Sequence, residues 1–125
     1  MFAELMNLAM FTISSTLVLE FALSKKRFDI TAIVYDKRGR VLSIGKNSYV
    51  KTHPHMAFHA AHVGLPEKQF LHAEVHAIVK CRDLKKAHKI VVLRYDSEGN
   101  PKNAKPCPVC ESAIRAAGIK IVEHT

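Results

Sequence analysis

The stretch FLHAEVHAI, residues 70–78, places two imidazoles and one carboxylate inside an otherwise apolar run. His72, Glu74 and His76 occupy alternate positions, so a strand would put all three on one face. A helix would instead set His72 and His76 one turn apart and turn Glu74 away from both. The secondary structure of this run therefore decides which of these groups can act together.

The apolar residues that follow recur with a helical period, which predicts a helix from Leu71 to about Lys86 with His72 and Glu74 in its first turn. A second helix is predicted over CPVCESAIRAAG, which begins at Cys107, carries both cysteines in its first turn and ends before Gly118. Both polar clusters then lie at helix N-termini. The orphan N–H groups and the helix dipole stabilise anions there, including thiolates.

Two thiolates and an imidazole are ligands that suit zinc. Cys107, Cys110 and one histidine would supply three ligands, and the fourth position distinguishes two interpretations. If His76 fills it, the site is closed and structural. If water fills it, the site is catalytic, and Glu74 is placed to move a proton. The position of Glu74 favours the catalytic interpretation, and the structural site remains the alternative.

The motif HAE followed by PCPVC resembles the zinc-dependent cytidine and deoxycytidylate deaminase superfamily, in its deoxycytidylate and tRNA-adenosine deaminase-like branch. The similarity extends to PCPVCESAIRAAGIKIV and to the tripeptide GKN at residues 45–47, and it covers roughly residues 28–124. Either half of the paired motif alone would be weak, but the two together, in this order, are specific.

This resemblance implies three zinc ligands: His72, Cys107 and Cys110. It implies that Glu74 shuttles protons between the attacking water, ring N3 and the leaving amine. It further implies that Asn47 hydrogen-bonds the sugar or base of the substrate, and that the backbone at Ala73 helps to read the ring. Lys105 departs from the Ser, Thr or Glu that many members carry before the Pro-Cys pair.

The elements around these motifs predict an α/β fold of the cytidine-deaminase type. It is a three-layer sandwich with a mixed sheet of about four strands flanked by helices. An apolar N-terminal helix (residues 1–25) precedes a core over residues 28–124, and residues 1–125 are expected to form a single zinc deaminase domain. RFDITAIVYDKRGRVLSIGKN predicts a hairpin, and HKIVVLRY and IKIVEH predict two later strands. Residues 48–70, which include four histidines, are predicted to be irregular with a short helix.

The formal net charge of the 125-residue chain is +8, which favours phosphate-bearing partners. The leading hypothesis is hydrolytic deamination of the cytosine of a dCMP-like nucleotide. One alternative is a deaminase that acts on cytosine or adenine in single-stranded DNA or RNA. The other is a non-catalytic structural-zinc module that binds nucleic acid.

The cysteine pattern and the lack of a recognisable secretory signal predict a soluble, cytoplasmic protein. Glu4 and Glu20 interrupt the apolar N-terminal run and argue against a membrane span. Homo-oligomerisation is expected from the family resemblance.

Several side chains outside the paired motif have predicted roles of their own. His76 is predicted to be a supporting or pocket-lining residue more than a ligand, and Cys81 a small core residue within the helix. Arg94 could face the pocket or pair with Asp96. Three aromatic side chains could stack on a base, although packing under the long loop is the expected role: Tyr49, Phe58 and Phe70.

Overall fold

The computed structural model describes residues 29–125. These residues form four β-strands: β1 (Ile30–Tyr35), β2 (Val41–Lys46), β3 (Lys89–Arg94) and β4 (Ile121–His124). They also form three α-helices: α1 (Pro54–His62), α2 (Ala73–Lys80) and α3 (Pro108–Ala116). No helix within residues 29–125 is long and apolar enough to cross a membrane.

The four strands form one sheet in the order β2-β1-β3-β4. β1 pairs antiparallel with both β2 and β3, whereas β3 and β4 are parallel. The predicted mixed sheet and the predicted hairpin are therefore confirmed. At the hairpin turn, the Asp36 carboxylate accepts the N–H groups of Arg38 and Arg40, each at 2.9 Å. An aspartate that hydrogen-bonds the backbone two residues ahead stabilises this kind of turn.

Successive residues of the two central strands point to opposite faces of the sheet. Ala32, Val34, Ile90 and Val92 belong to the main core, which also contains buried residues of all three described helices. The intervening residues form a second apolar cluster around Ile33, Val91 and Leu93. Because both faces are buried, β1 and β3 are almost continuously apolar and do not alternate with polar residues.

One predicted helix lies outside the described residues, and another ends earlier than predicted. The predicted N-terminal helix, residues 1–25, lies outside the described residues. The single helix predicted from Leu71 to about Lys86 is wrong at its C-terminal end, because α2 stops at Lys80. Cys81 adopts an extended backbone conformation (φ −72°, ψ 112°), and a separate 3-10 helix follows at Leu84–Lys86. Cys81 is therefore at the C-cap and not within the helix, although it is buried in the core as predicted.

Candidate active site

The N-terminal ends of α2 and α3 meet on the helical side of the sheet. His72 is the N-cap residue of α2, and Cys107 is the N-cap residue of α3, with a proline in the first position of the helix. Proline is favoured there because the N–H that it lacks would have no partner inside the helix. The His72 Nδ1 atom lies 3.5 Å from Cys107 Sγ and 3.3 Å from Cys110 Sγ. Two motifs that are far apart in sequence are thus brought into contact.

These three side chains have the geometry of a metal site. Their ligand atoms all lie within 4.8 Å of one another, and they are the one such group found within residues 29–125. In tetrahedral zinc coordination, a Zn–N bond of about 2.1 Å and a Zn–S bond of about 2.3 Å separate N and S by roughly 3.6 Å. The two N···S distances observed here are close to that value. The donor set of His72, Cys107 and Cys110 therefore fits zinc.

The protonation of these groups also suits a cation. The hydrogen bond from Cys110 is the largest influence on Cys107 and lowers the pKa of its thiol to about 3, with a further contribution from His72. Cys107 is therefore a thiolate at neutral pH. The hydrogen bond with Cys107 in turn raises the pKa of His72. Because a thiolate is the form that binds metal, the site presents an anionic sulfur to an incoming cation.

His76 lies outside this group. Its Nδ1 accepts the backbone N–H of Lys46 at 3.0 Å, and burial lowers its pKa. It therefore joins α2 to the end of β2. The structural-site interpretation requires His76 as the fourth ligand. Within residues 29–125, the group of candidate ligands does not include His76. The expectation that His76 supports the site without binding the metal agrees with this geometry.

Two further contacts fix α2 against β2. The Ser43 hydroxyl donates to the Ala77 carbonyl at 2.7 Å. Gly45 faces the backbone of α2 so closely that a Cβ atom there would overlap Ala77 N and Ala73 O. In the sequence, only the family resemblance of the GKN tripeptide indicates a role for this position. The steric requirement on Gly45 becomes visible only when the helix is seen against the strand.

Glu74 is the buried carboxyl group of the site. Its residue is only 5% exposed, although it belongs to the first turn of α2. Burial raises the pKa of this carboxyl group, because removal from water penalises the charged form. A carboxyl group with a raised pKa, next to candidate metal ligands and open to a cavity, is suited to accept and return a proton.

A cavity of about 460 Å³ opens beside these groups. This volume lies in the range of roughly 300–1,000 Å³ that is typical of small-molecule sites. Asn47 lies on its wall, and the Asn47 Oδ1 accepts the backbone N–H of Ile30 at 2.8 Å. The cavity thus brings together all the residues for which the sequence predicted substrate, proton-transfer or metal roles, except the buried Cys110: Asn47, His72, Ala73, Glu74 and Cys107.

Basic and aromatic side chains also line this cavity, together with the acidic side chain of Glu67. Arg94 lines it, and the Arg94 Nη1 donates to the Asn103 carbonyl at 3.4 Å. Asp96 contacts Lys102 Nζ at 3.7 Å. Tyr49 and Phe70 also line the cavity and are 64% and 51% exposed. Phe58 is exposed elsewhere on α1, where its ring stacks with His62. Sequence reasoning missed Lys68 and Asn103 as lining residues, because neither belongs to a motif and only the fold places them here.

Comparison with known protein families finds a match over residues 7–124 to the family described as the cytidine and deoxycytidylate deaminase zinc-binding region. Comparison with curated protein sequences finds no significant match. Among solved structures, a mutant cytidine deaminase from Mycobacterium tuberculosis is similar, with a TM-score of 0.48 and 18% sequence identity. The similarity covers 87% of this chain and 84% of that one.

Proposed function

The chain belongs to the zinc-binding cytidine and deoxycytidylate deaminase family, and from this premise we propose that it hydrolyses the exocyclic amine of cytosine in a dCMP-like nucleotide. The reaction consumes one water and releases ammonia, and it leaves uracil in place of cytosine. The observation that carries this proposal is the buried Glu74 carboxyl group, which shares one cavity with His72 and Cys107. A closed structural site would have no use for a proton carrier in that position.

The chain's own residues account for most of the proposed mechanism. His72, Cys107 and Cys110 would hold the zinc, which when bound supplies a water activated for attack at neutral pH. Glu74 would accept one proton of the attacking water and deliver it to ring N3. It would then take the second proton from the hydroxyl group added at C4 and give it to the leaving amine, so that ammonia departs and the C4 carbonyl forms. The burial of Glu74 keeps bulk water from competing for these protons and raises its pKa toward the working range.

Other cavity residues would bind and orient the nucleotide. The backbone contact with Ile30 holds Asn47 at the cavity wall, and we propose that its amide hydrogen-bonds the sugar or the base. The buried backbone at Ala73 lies next to Glu74 and would contact the ring edge. Arg94 and Lys68 on the cavity lining would attract the phosphate, because guanidinium and ammonium groups suit phosphate oxygens.

One observation favours a second candidate, a deaminase acting on single-stranded nucleic acid. Tyr49 and Phe70 are exposed on the cavity lining, and exposed aromatic faces can stack on bases of a single strand. In this case the neighbouring bases of a strand would lie on these rings, and the net charge of +8 would attract the backbone. Adenine as the target base belongs to the same alternative, because the motif serves both rings.

The test is ammonia release and product mass with purified, zinc-loaded protein. The substrates are cytidine, dCMP, dCTP, 5-modified dCMP, adenosine and single-stranded oligonucleotides. We expect turnover of dCMP above the level of a Glu74→Gln blank. Turnover confined to oligonucleotides would replace the leading proposal with the second candidate, and no turnover of any substrate would refute both. The cytoplasmic location and the self-association remain predictions from the sequence.

A further inference from the structure

A second cavity, of about 380 Å³, lies at the other end of the sheet from the candidate active site. We call it the basic cavity, because six cationic side chains line it: Lys37, Arg38, Arg40, Lys85, Lys86 and Lys120. The only acidic side chain of its lining is Asp36. None of the candidate metal ligands belongs to it.

Strand β1 gives the separation of the two cavities. Ile30, at the start of β1, lines the candidate active site, whereas Asp36, just beyond its end, lines the basic cavity. Six residues of extended strand, at about 3.3 Å each, correspond to roughly 20 Å. The basic cavity is therefore a separate site that a substrate molecule in the active site would not reach.

The positive charge of the basic cavity is only partly compensated. Arg40 pairs with Asp36 at 2.8 Å, and Lys86 pairs with Asp83 at 3.4 Å. Within the described part of the chain, four of the cationic side chains make no ion pair: Lys37, Arg38, Lys85 and Lys120. These four come from three separate segments, namely the hairpin turn, the 3-10 helix and the connection before β4. The fold therefore brings exposed cationic side chains from three segments around one concavity.

The backbone that carries these cations is held by hydrogen bonds. Asp36 accepts N–H groups from Arg38 and Arg40, which holds the pKa of its carboxyl group below the usual value, chiefly through the bond from Arg40. Elsewhere in the lining, the His88 carbonyl accepts the N–H groups of Lys120 and Ile121, at 3.2 and 3.1 Å. A ligand would therefore order side chains but not backbone, which lowers the entropic cost of binding.

The lining also indicates the class of ligand. Lys and Arg side chains recognise phosphate oxygens by charge-assisted hydrogen bonds. No Phe, Tyr or Trp lines the basic cavity, and the imidazole of His88 is the one aromatic ring in its lining. Its volume suits a small molecule, and its four unpaired cations match the roughly four negative charges of a triphosphate group. We propose that the basic cavity binds a compact polyphosphate, either inorganic or the triphosphate of a nucleotide.

The experiment is calorimetric titration of the full-length, zinc-loaded protein with inorganic tripolyphosphate and, separately, with ATP, in about 0.15 M salt. The test variant is Lys37→Ser/Lys85→Ser, in which both side chains are exposed and the fold should be unaffected. The matched control is Lys51→Ser/Lys102→Ser, which removes the same charge from exposed positions outside both cavities. Zinc content is measured before and after each titration, because polyphosphates bind divalent metals.

We expect the unaltered protein to bind with a Kd below about 1 mM, the test variant to bind at least about tenfold more weakly, and the control to change less than about twofold. Equal affinity for the two ligands would assign the site to the polyphosphate alone, and tighter binding of ATP would assign it to nucleotides. Absence of binding, equal weakening in both variants, or heat that tracks zinc loss would overturn the proposal. So would binding of a single-stranded oligonucleotide that depends on Lys37 and Lys85 when tripolyphosphate does not bind.

Discussion

Gly45 on β2 lies directly against the backbone of Ala77 on α2, with no room for a side chain between the strand and the helix. A Cβ atom there would also overlap Ala73 O, and backbone atoms of a helix cannot move aside as a flexible side chain can. We predict that Gly45→Ala destabilises the protein by about 1–3 kcal/mol, as overpacking generally does. It should also lower activity, because displaced α2 carries His72 and Glu74. Urea unfolding and steady-state kinetics measure the two effects.

Gly99→Ala is the control for this substitution. Gly99 has a positive φ of 85° and open space around it, so alanine adds backbone strain but meets no neighbouring atom. Its cost should be about 1–2 kcal/mol, with kcat unchanged. If Gly45→Ala kept full activity at full zinc content, the contact between β2 and α2 would not position the site.

Glu74→Gln should separate metal binding from turnover. The substitution preserves size but removes the group that accepts and returns protons, so kcat should fall by roughly 10²–10⁴-fold. Zinc content should stay the same, because Glu74 is outside the His72, Cys107 and Cys110 group. The measurements are ammonia release and metal analysis of the same preparation. Glu111→Gln, the same change at an exposed position of α3, should leave both quantities unaltered.

Zinc content should distinguish His72 from His76. His72→Ala removes a candidate ligand and should reduce bound zinc well below one per chain. His76→Ala should retain zinc but lower the free energy of unfolding by about 1–3 kcal/mol, because the Lys46 N–H would lose its partner. Metal analysis after dialysis and urea unfolding test the pair. Zinc loss from His76→Ala with zinc retained in His72→Ala would reverse the assignment.

His59 should make the protein sensitive to mild acid. It is buried on α1, and its Nδ1 lies 2.8 Å from Ser112 Oγ on α3. Burial is the main cause that lowers its pKa, and the charges of His55 and His62 add to it. Below about pH 6.5 the unfolded chain therefore binds a proton at this position, whereas folded His59 stays neutral to lower pH. The contribution of His59 to the free energy of unfolding is present above that pH and is lost as the pH falls below it.

Urea unfolding between pH 5.5 and 7.5 measures this effect. His59→Gln keeps a hydrogen-bonding group but cannot titrate, so its stability should fall less over this range than that of the unaltered chain. Because metal release also depends on acid, the comparison is made at matched zinc content. Identical pH dependence in His59→Gln and the unaltered chain would contradict the role assigned to His59.

Much of the candidate site could be predicted because its chemistry is local in the chain. HAE and PCPVC each carry their reactive groups within a single helical turn, and a helix N-terminus imposes the same local geometry wherever it occurs. The ligand group His72, Cys107 and Cys110 followed from residue type and spacing together with the family resemblance. The strands were predictable for a similar reason, since apolar runs between turn residues indicate buried strands.

Contacts between distant segments were decided only by the tertiary structure. Whether His76 binds metal or Lys46, and whether Arg94 faces the cavity, depends on where β2, β3 and α2 lie relative to one another. The end of α2 at Lys80 depends on an extended residue, Cys81, which no periodicity predicts. The sequence by itself determined which groups are candidates for the chemistry, because their residue types and local spacing are properties of the chain alone. Packing decided which of them face one another, and it gathered scattered lysines and arginines into one basic cavity.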